Sequence, residues 1–358
     1  MPDIILDITN SNAFSASSLT ESVNLVPNTY GRLNELGLFT DEPIATTSVT
    51  IDINNGVLNL LPTRPRGAPP SLGTPERARL KAFVVPHIPH DDSVLALDVQ
   101  NMLMRVGVAG AGGGVASGIG LETVLGMVNR KLITMRRKHA ITLEHLRVSA
   151  ITGVIVDYDG TPLINLFTEF GIVPKQVDFA LGTAGTDVGS KCREVSGYIE
   201  DNLLGDTMTG VQALASPSWF DRFVTHASVK DAYKYFASTQ NPLRNDLRKG
   251  FTFQNITFEE YRGQATKLNE DGSTSVQRFI PDGDVRFFPL GTGDTFTNYW
   301  APPDFVDEVN IAPNVDDQVF VAPLERMKFG KGMDMHTESN PLPLVKRPAT
   351  LVRGFSSN

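Results

Sequence analysis

Five consecutive residues, Asp157-Tyr158-Asp159-Gly160-Thr161, are the sharpest candidates for chemistry in this chain. Two carboxylates two positions apart, after the apolar run Val154-Ile-Val156, look like a catalytic motif. The Asp159-Gly160 pair equally suits a type I′ hairpin turn. His87-Ile-Pro-His90-Asp91-Asp92 has the residue types of a metal site. Its histidines bracket a proline and lack the i, i+4 spacing of a helical ligand pair, so the stretch reads as a solvated turn with Asp92 or Ser93 capping the next helix. The glycine-rich residues 107–120 lack both the Gly-Lys-Ser/Thr of a phosphate loop and the dinucleotide spacing, and read as a connector. The six histidines have no evident Ser or Cys partner, there is no Gly-x-Ser-x-Gly elbow, and Cys192 falls on the apolar side of its helix. No catalytic, cofactor-binding or metal residue is assigned on these grounds.

Residues 118–166 must position the Asp157 motif. Leu121, Val124, Leu125, Val128, Leu132, Met135, Leu143, Leu146 and Ala150 follow the i, i+3/i+4, i+7 spacing of one buried stripe on a helix about 45 Å long, which Gly153 stops. Strand, turn and strand follow. Arg130-Lys131 and Arg136-Arg137-Lys138-His139 form the only dense basic run and are expected on the solvated face. There they would meet acidic partner surfaces or make weak contact with nucleic acid.

The motif resembles the first motif of the haloacid-dehalogenase-like phosphatases, which implies Asp157 as nucleophile and Asp159 as general acid beside a magnesium ion. That fold begins with the motif and alternates strand and helix. Here more than 150 residues precede it, and Asp316-Asp317 is only a weak stand-in for the later acidic pair. A magnesium-dependent phosphatase is therefore the alternative reading, and a hairpin turn the main one.

At 358 residues, 41% hydrophobic and 20% charged, the chain is expected to fold into two or three units. A formal net charge of −8 argues against a protein whose main work is gripping phosphates. One cysteine precludes an internal disulfide and suits the cytoplasm. The first residues lack a signal-peptide pattern and no run approaches a membrane span.

Residues 1–40 are rich in Ser, Asn and Thr and read as an arm. Val49, Ile51 and Ile53, then Asn54-Asn55-Gly56, then Val57, Leu58 and Leu60 make a β-hairpin. Proline and glycine dominate residues 62–75, and Lys81-Ala-Phe-Val-Val-Pro86 is expected to pair back, so residues 45–90 read as a long ribbon with Arg64 and Arg66 at its tip. Such a ribbon needs another surface to lie on. Residues 175–300 read as a compact α+β unit. It has helices near 187–202 and from Ser216-Pro217, and one alternating strand from Phe251 to Phe258. The strands of residues 301–358 are placed beside those following the long helix.

The order of parts resembles the major capsid protein E family of tailed bacteriophages, relatives of the lambda capsid protein with the Hong Kong 97-type fold. The likeness rests on residues 153–171 (Gly-Val-Ile-Val-Asp-Tyr-Asp-Gly-Thr-Pro onward) and on Val211-Gln-Ala-Leu-Ala-Ser-Pro-Ser-Trp-Phe-Asp221. Phe258-Glu-Glu-Tyr-Arg-Gly263, Phe279-Ile-Pro-Asp-Gly-Asp284, Pro289-Leu-Gly-Thr292, Tyr299-Trp-Ala-Pro-Pro-Asp304 and Glu338-Ser-Asn-Pro-Leu342 follow in order. It implies an α+β capsid fold with an N-terminal arm (1–44), an extended β-hairpin loop (45–92), a peripheral domain with a spine helix (93–174), an axial domain (175–300), and C-terminal strands returning to the peripheral domain (301–358). It further implies self-assembly as hexamers and pentamers into an icosahedral virion shell around double-stranded DNA, in the host bacterial cytoplasm and without catalysis. The implied partners are portal, scaffold and sometimes a decoration protein, with no membrane. Contact with the packaged DNA would be weak and non-specific. Arg64, Arg66, Arg130, Arg136 and Arg137 are the candidate inter-subunit contacts.

Overall fold

The structure, a computed structural model, describes residues 31–53, 79–105, 117–237, 250–268, 273–306, 311–314 and 318–358. The helix Ser117–Thr152 runs through it for 36 residues, roughly 54 Å at 1.5 Å per residue. Gly153, at φ 86°, ends it in a conformation that side chains rarely adopt. Val128, Leu132, Met135, Leu143, Leu146 and Ala150 are all buried, as their spacing predicts, whereas the side chains of residues 121–125 lie outside the described set. The first half of this stripe packs on Val94, Val321, Met333 and Met335. Its second half packs on Leu33, Phe39, Ile155, Phe296 and Leu344. One rod thus joins two cores.

Around its second half lies a three-stranded sheet in which Phe296–Trp300 is flanked by Thr40–Pro43 and Pro341–Val345. A six-stranded mixed sheet forms the other main body, in the order Lys175–Asp178, Val352–Phe355, Asp284–Leu290, Gly210–Ala215, Ile256–Glu260, Phe251–Phe253. Helices Val188–Asp201 and Pro217–Thr225 bury Val195, Ile199, Trp219 and Phe223 in its core. Asp187 caps the first helix by accepting from Ser190 N at 3.1 Å. Ser216 precedes Pro217 as expected, but its hydroxyl accepts from Gly283 N at 3.0 Å and leaves the helix end uncapped by a side chain.

Three local expectations are corrected. Residues 88–95 form a strand, antiparallel to Gly332–Ser339, where a solvated turn is expected, and the next helix starts at Ala96. The strand is hidden in the sequence because several of its positions hold His and Asp, which answer cations on the long helix and leave no apolar alternation. Phe251 to Phe258 is a hairpin and not one strand. Gln254 and Asn255 both have positive φ, 50° and 64°, as a type I′ turn requires, and Phe253 faces Ile256. Alternation survives such a turn, so it did not betray the break.

The third correction concerns the chain end. Val352–Phe355 does not return to the strands after the long helix; it lies in the six-stranded sheet between Lys175–Asp178 and Asp284–Leu290. Arg353 grips the buried Asp284 through two 2.9 Å hydrogen bonds, and Arg286 adds a third of 2.9 Å. An arginine alternating with apolar residues carries no sign of which carboxylate it will find.

Ser48–Ile53 pairs antiparallel with Arg79–Val84, from Ser48 opposite Val84 to Ile53 opposite Arg79, which is the pairing back expected of a ribbon. The Asn54-Asn55-Gly56 turn, residues 57–60 and Arg64 and Arg66 lie outside the described residues.

Candidate functional site

Val154–Val156 and Pro162–Asn165 pair antiparallel, with a register shift at Ile155/Val156, and carry the Asp157 motif at their exposed end. Asp157 N donates to Thr161 O at 2.8 Å and Gly160 N to Asp157 O at 3.0 Å. Only Gly160, at φ 91°, is left-handed, so the loop is wider than the type I′ turn expected. Asp159 accepts from Thr161 N and Oγ1, each at 2.8 Å, and these bonds hold its carboxyl below the usual range. Asp157 accepts from Tyr158 N at 2.7 Å. Lys267 then pins the loop from a neighbouring hairpin, donating to Asp159 O at 3.1 Å with its Nζ 5.9 Å from the Tyr158 ring centre.

A nucleophile and acid pair needs the end of a buried parallel strand and a magnesium ion. Here the carboxylates close a solvent-facing turn between antiparallel strands. Among the described residues, no three His, Cys, Asp or Glu groups are placed to hold a metal. The phosphatase reading finds no support. Cys192 is buried in its helix, and burial pushes its thiol up to about 12, which removes the thiolate from ordinary pH.

The histidine and aspartate stretch has a different role. Asp92 accepts from Lys131 Nζ at 2.7 Å, and His90 Nε2 lies 3.0 Å from Lys138 Nζ, so strand 88–95 is clipped to the long helix. His139, on the buried stripe, meets Thr337 Oγ1 at 3.0 Å, and burial holds its ring down at about 4. His336, which drew no notice in the sequence, sits between Asp91 and Glu338. Burial opposes its charge, but the two carboxylates outweigh burial and raise its pKa.

The basic run divides. Arg137 and Lys138 are exposed, as is Arg130, whose Nε donates to Gly126 O of its own helix at 3.1 Å. Arg136 and His139 turn inward and are buried. A helix face one residue to either side decides this, and the charge run blurs it. Further along, Glu144 and Arg147 are buried too. Glu144 accepts from Leu33 N at 3.3 Å and Tyr261 OH at 3.1 Å; Arg147 donates to Asn34 Oδ1 at 3.1 Å and lies 5.7 Å from the Phe39 ring centre. They clasp residues 33–41 to the helix.

One face of the ribbon is open. Leu80 and Val84 are 72% and 73% exposed, while Phe83 and Val49 between them face the core. The signal was present in residues 80–84, where both alternating faces carry apolar side chains.

An extended ribbon, a spine helix spanning two cores and a mixed six-stranded sheet together make the Hong Kong 97-type capsid fold. A crystal structure assigned as a capsid protein of an Escherichia coli CFT073 prophage matches it with a TM-score of 0.50 at 12% identity, covering 96% of this chain and 99% of that one. The family model for phage major capsid protein E matches residues 15–356, and the chain belongs to that family. The major capsid protein of Pseudomonas phage KPP10 is 29% identical over 358 residues, 96% of this chain and 97% of that protein. The major capsid protein of Salmonella phage Felix O1 is 25% identical over 377 residues, 96% and 97% respectively. The function is structural, as a major capsid protein of the virion.

Proposed function

We infer that copies of this chain assemble as hexamers and pentamers into the icosahedral head shell of a tailed phage, enclosing double-stranded DNA, and that they do so in the bacterial cytoplasm without catalysing a reaction. The observation that carries this reading is the two-stranded ribbon of residues 48–53 and 79–84, whose outer face leaves Leu80 and Val84 in water. A ribbon of two strands with an apolar outer face wants a neighbour to cover it. The division into arm (1–44), extended loop (45–92), peripheral domain (93–174), axial domain (175–300) and C-terminal strands (301–358) is our reading of how the parts serve assembly, with the chain end reassigned to the axial sheet.

Arg130, Arg137 and Lys138 are the exposed members of the basic run that a neighbour or the packaged DNA can reach directly. Arg136 would act only through rearrangement of its buried site. Arg64 and Arg66 are assigned to an acidic patch on an adjoining subunit. Portal, scaffold and a decoration protein complete the expected partners. A net charge of −8 suits a container that must release its DNA.

Electron microscopy and sedimentation of the purified protein, with scaffold present and salt varied, test this directly. Closed shells are the expected product, and a persistent monomer would sink the reading. Arg64→Glu with Arg66→Glu should weaken those shells; unchanged shells would remove the ribbon-tip contact.

A further inference from the structure

The hairpin that joins Glu325–Arg326 to Gly332–Ser339 breaks two local rules at once. At its tip, Phe329 adopts φ 64°, ψ 16°, a left-handed conformation that a bulky aromatic rarely takes, and its side chain is 94% exposed. Exposed lysines flank it, giving Lys328-Phe329-Gly330-Lys331. At the foot of the same hairpin Glu325 stands directly opposite Asp334, a like-charge pair that destabilises an isolated sheet. Neither lysine and neither of these two carboxylates makes an ion pair among the described residues.

Glu325 and Asp334 open on a cleft of about 760 Å³ together with Asp91 and Asp92. Ala322 and Pro323 give it apolar walls. One chain therefore displays a cationic tip carrying an aromatic ring and, three residues away on either arm of the same hairpin, the carboxylates of an acidic cleft with apolar walls. Within one subunit the tip does not occupy this cleft, and Phe329 stands in water.

We propose that Lys328-Phe329-Gly330-Lys331 of one copy seats in the Asp91, Glu325 and Asp334 cleft of a second copy of this chain. Phe329 lies on the Ala322 and Pro323 walls, and the two lysines neutralise the opposed Glu325 and Asp334. Because tip and cleft are different surfaces, the contact is head-to-tail and closes only around a rotation axis, as a ring of subunits would supply. The proposal rests on the shell-assembly reading above.

Cysteine pairing tests it in the full chain, since Cys192 is fully buried and silent. Phe329→Cys combined with Ala322→Cys should give, on oxidation of assembled shells, a ladder of covalent oligomers on a non-reducing gel, and neither single variant should. Dimers from Phe329→Cys alone would show tip meeting tip and overturn the docking. In parallel, Lys328→Glu with Lys331→Glu should raise the protein concentration needed for assembly about tenfold. Adding Glu325→Lys and Asp334→Lys should restore it; thermal melting of each unassembled variant confirms that it is folded. Assembly indifferent to the tip charges, or a cleft that binds calcium or magnesium while tip variants assemble normally, overturns the proposal. Failure of the parent protein to form shells would instead remove the reading on which it rests.

Discussion

Apart from the Asp284, Arg286 and Arg353 cluster between its strands, the body under the six-stranded sheet is packed by aromatic rings, whereas buried charges tie the region around the long helix. In the first, Phe223 stacks on Phe258 at 4.2 Å and on Trp219 at 5.0 Å, and Phe179 meets Trp219 edge-on at 5.3 Å. In the second, Glu144, Arg147 and His139 are buried on the spine itself and bond to segments far away in sequence, with Glu144 Oε2 and Arg147 Nε left without a hydrogen-bond partner. An apolar core is insensitive to where neighbours arrive. A polar clasp fixes one arrangement of a strap or strand on the helix and makes that arrangement responsive to pH and to displacement.

Removing the ring at the centre of the first body should do most damage. Phe223→Ala is expected to cost about 3–5 kcal/mol, read by denaturant unfolding. A loss below 1 kcal/mol would mean that the aromatic cluster is not what holds this body.

At the end of the spine, a Cβ on Gly153 would stand 2.0 Å from the Phe167 ring at a backbone φ of 86°. Gly153→Ala should therefore cost roughly 2–4 kcal/mol, from left-handed strain and the clash together. The double variant with Phe167→Ala should lose less than the sum of the two singles, because only the clash is shared. Strict additivity would place the whole cost in the backbone.

His139 sharpens the comparison through pH. Its folded pKa of about 4 lies below the ordinary 6.5, so the unfolded chain takes up a proton first as pH falls. Stability from its neutral form is present above pH 6.5 and is lost down to about pH 4. His139→Leu, which continues the stripe and leaves Thr337 Oγ1 bonded to His90 O at 3.1 Å, should recover roughly 2–3 kcal/mol of stability across that window. Parallel pH profiles for parent and variant would show that other groups set the acid response.

The smallest effect on the subunit is expected on the ribbon. Leu80→Ser with Val84→Ser should change its stability by less than about 0.5 kcal/mol while hindering shell formation. Unhindered assembly would remove these side chains from the contact.

Much of this molecule was legible in its residues because periodicity and turn chemistry are local. The stripe from Val128 to Ala150, the stop at Gly153, the cap at Asp187 and the start at Ser216-Pro217 all follow from spacing and side-chain type. The ordered run of motifs from residue 153 to 342 pointed to the family. What stayed hidden depends on partners distant in the chain. Strand 88–95 looked like a turn because its polar side chains answer Lys131 and Lys138 some 39 to 48 positions away. Arg353 found Asp284 across 69 positions and took the chain end into a different sheet.

The sequence by itself determined where helices and most strands run, and that a two-stranded ribbon needs another surface to lie on. Only the tertiary structure decided which charges are buried, that the Asp157 loop is a hydrogen-bonded turn, and that a cationic tip and an acidic cleft share one hairpin. The reason is physical: periodicity is written by neighbours along the chain, while the fate of a charge is set by whichever segment folds against it.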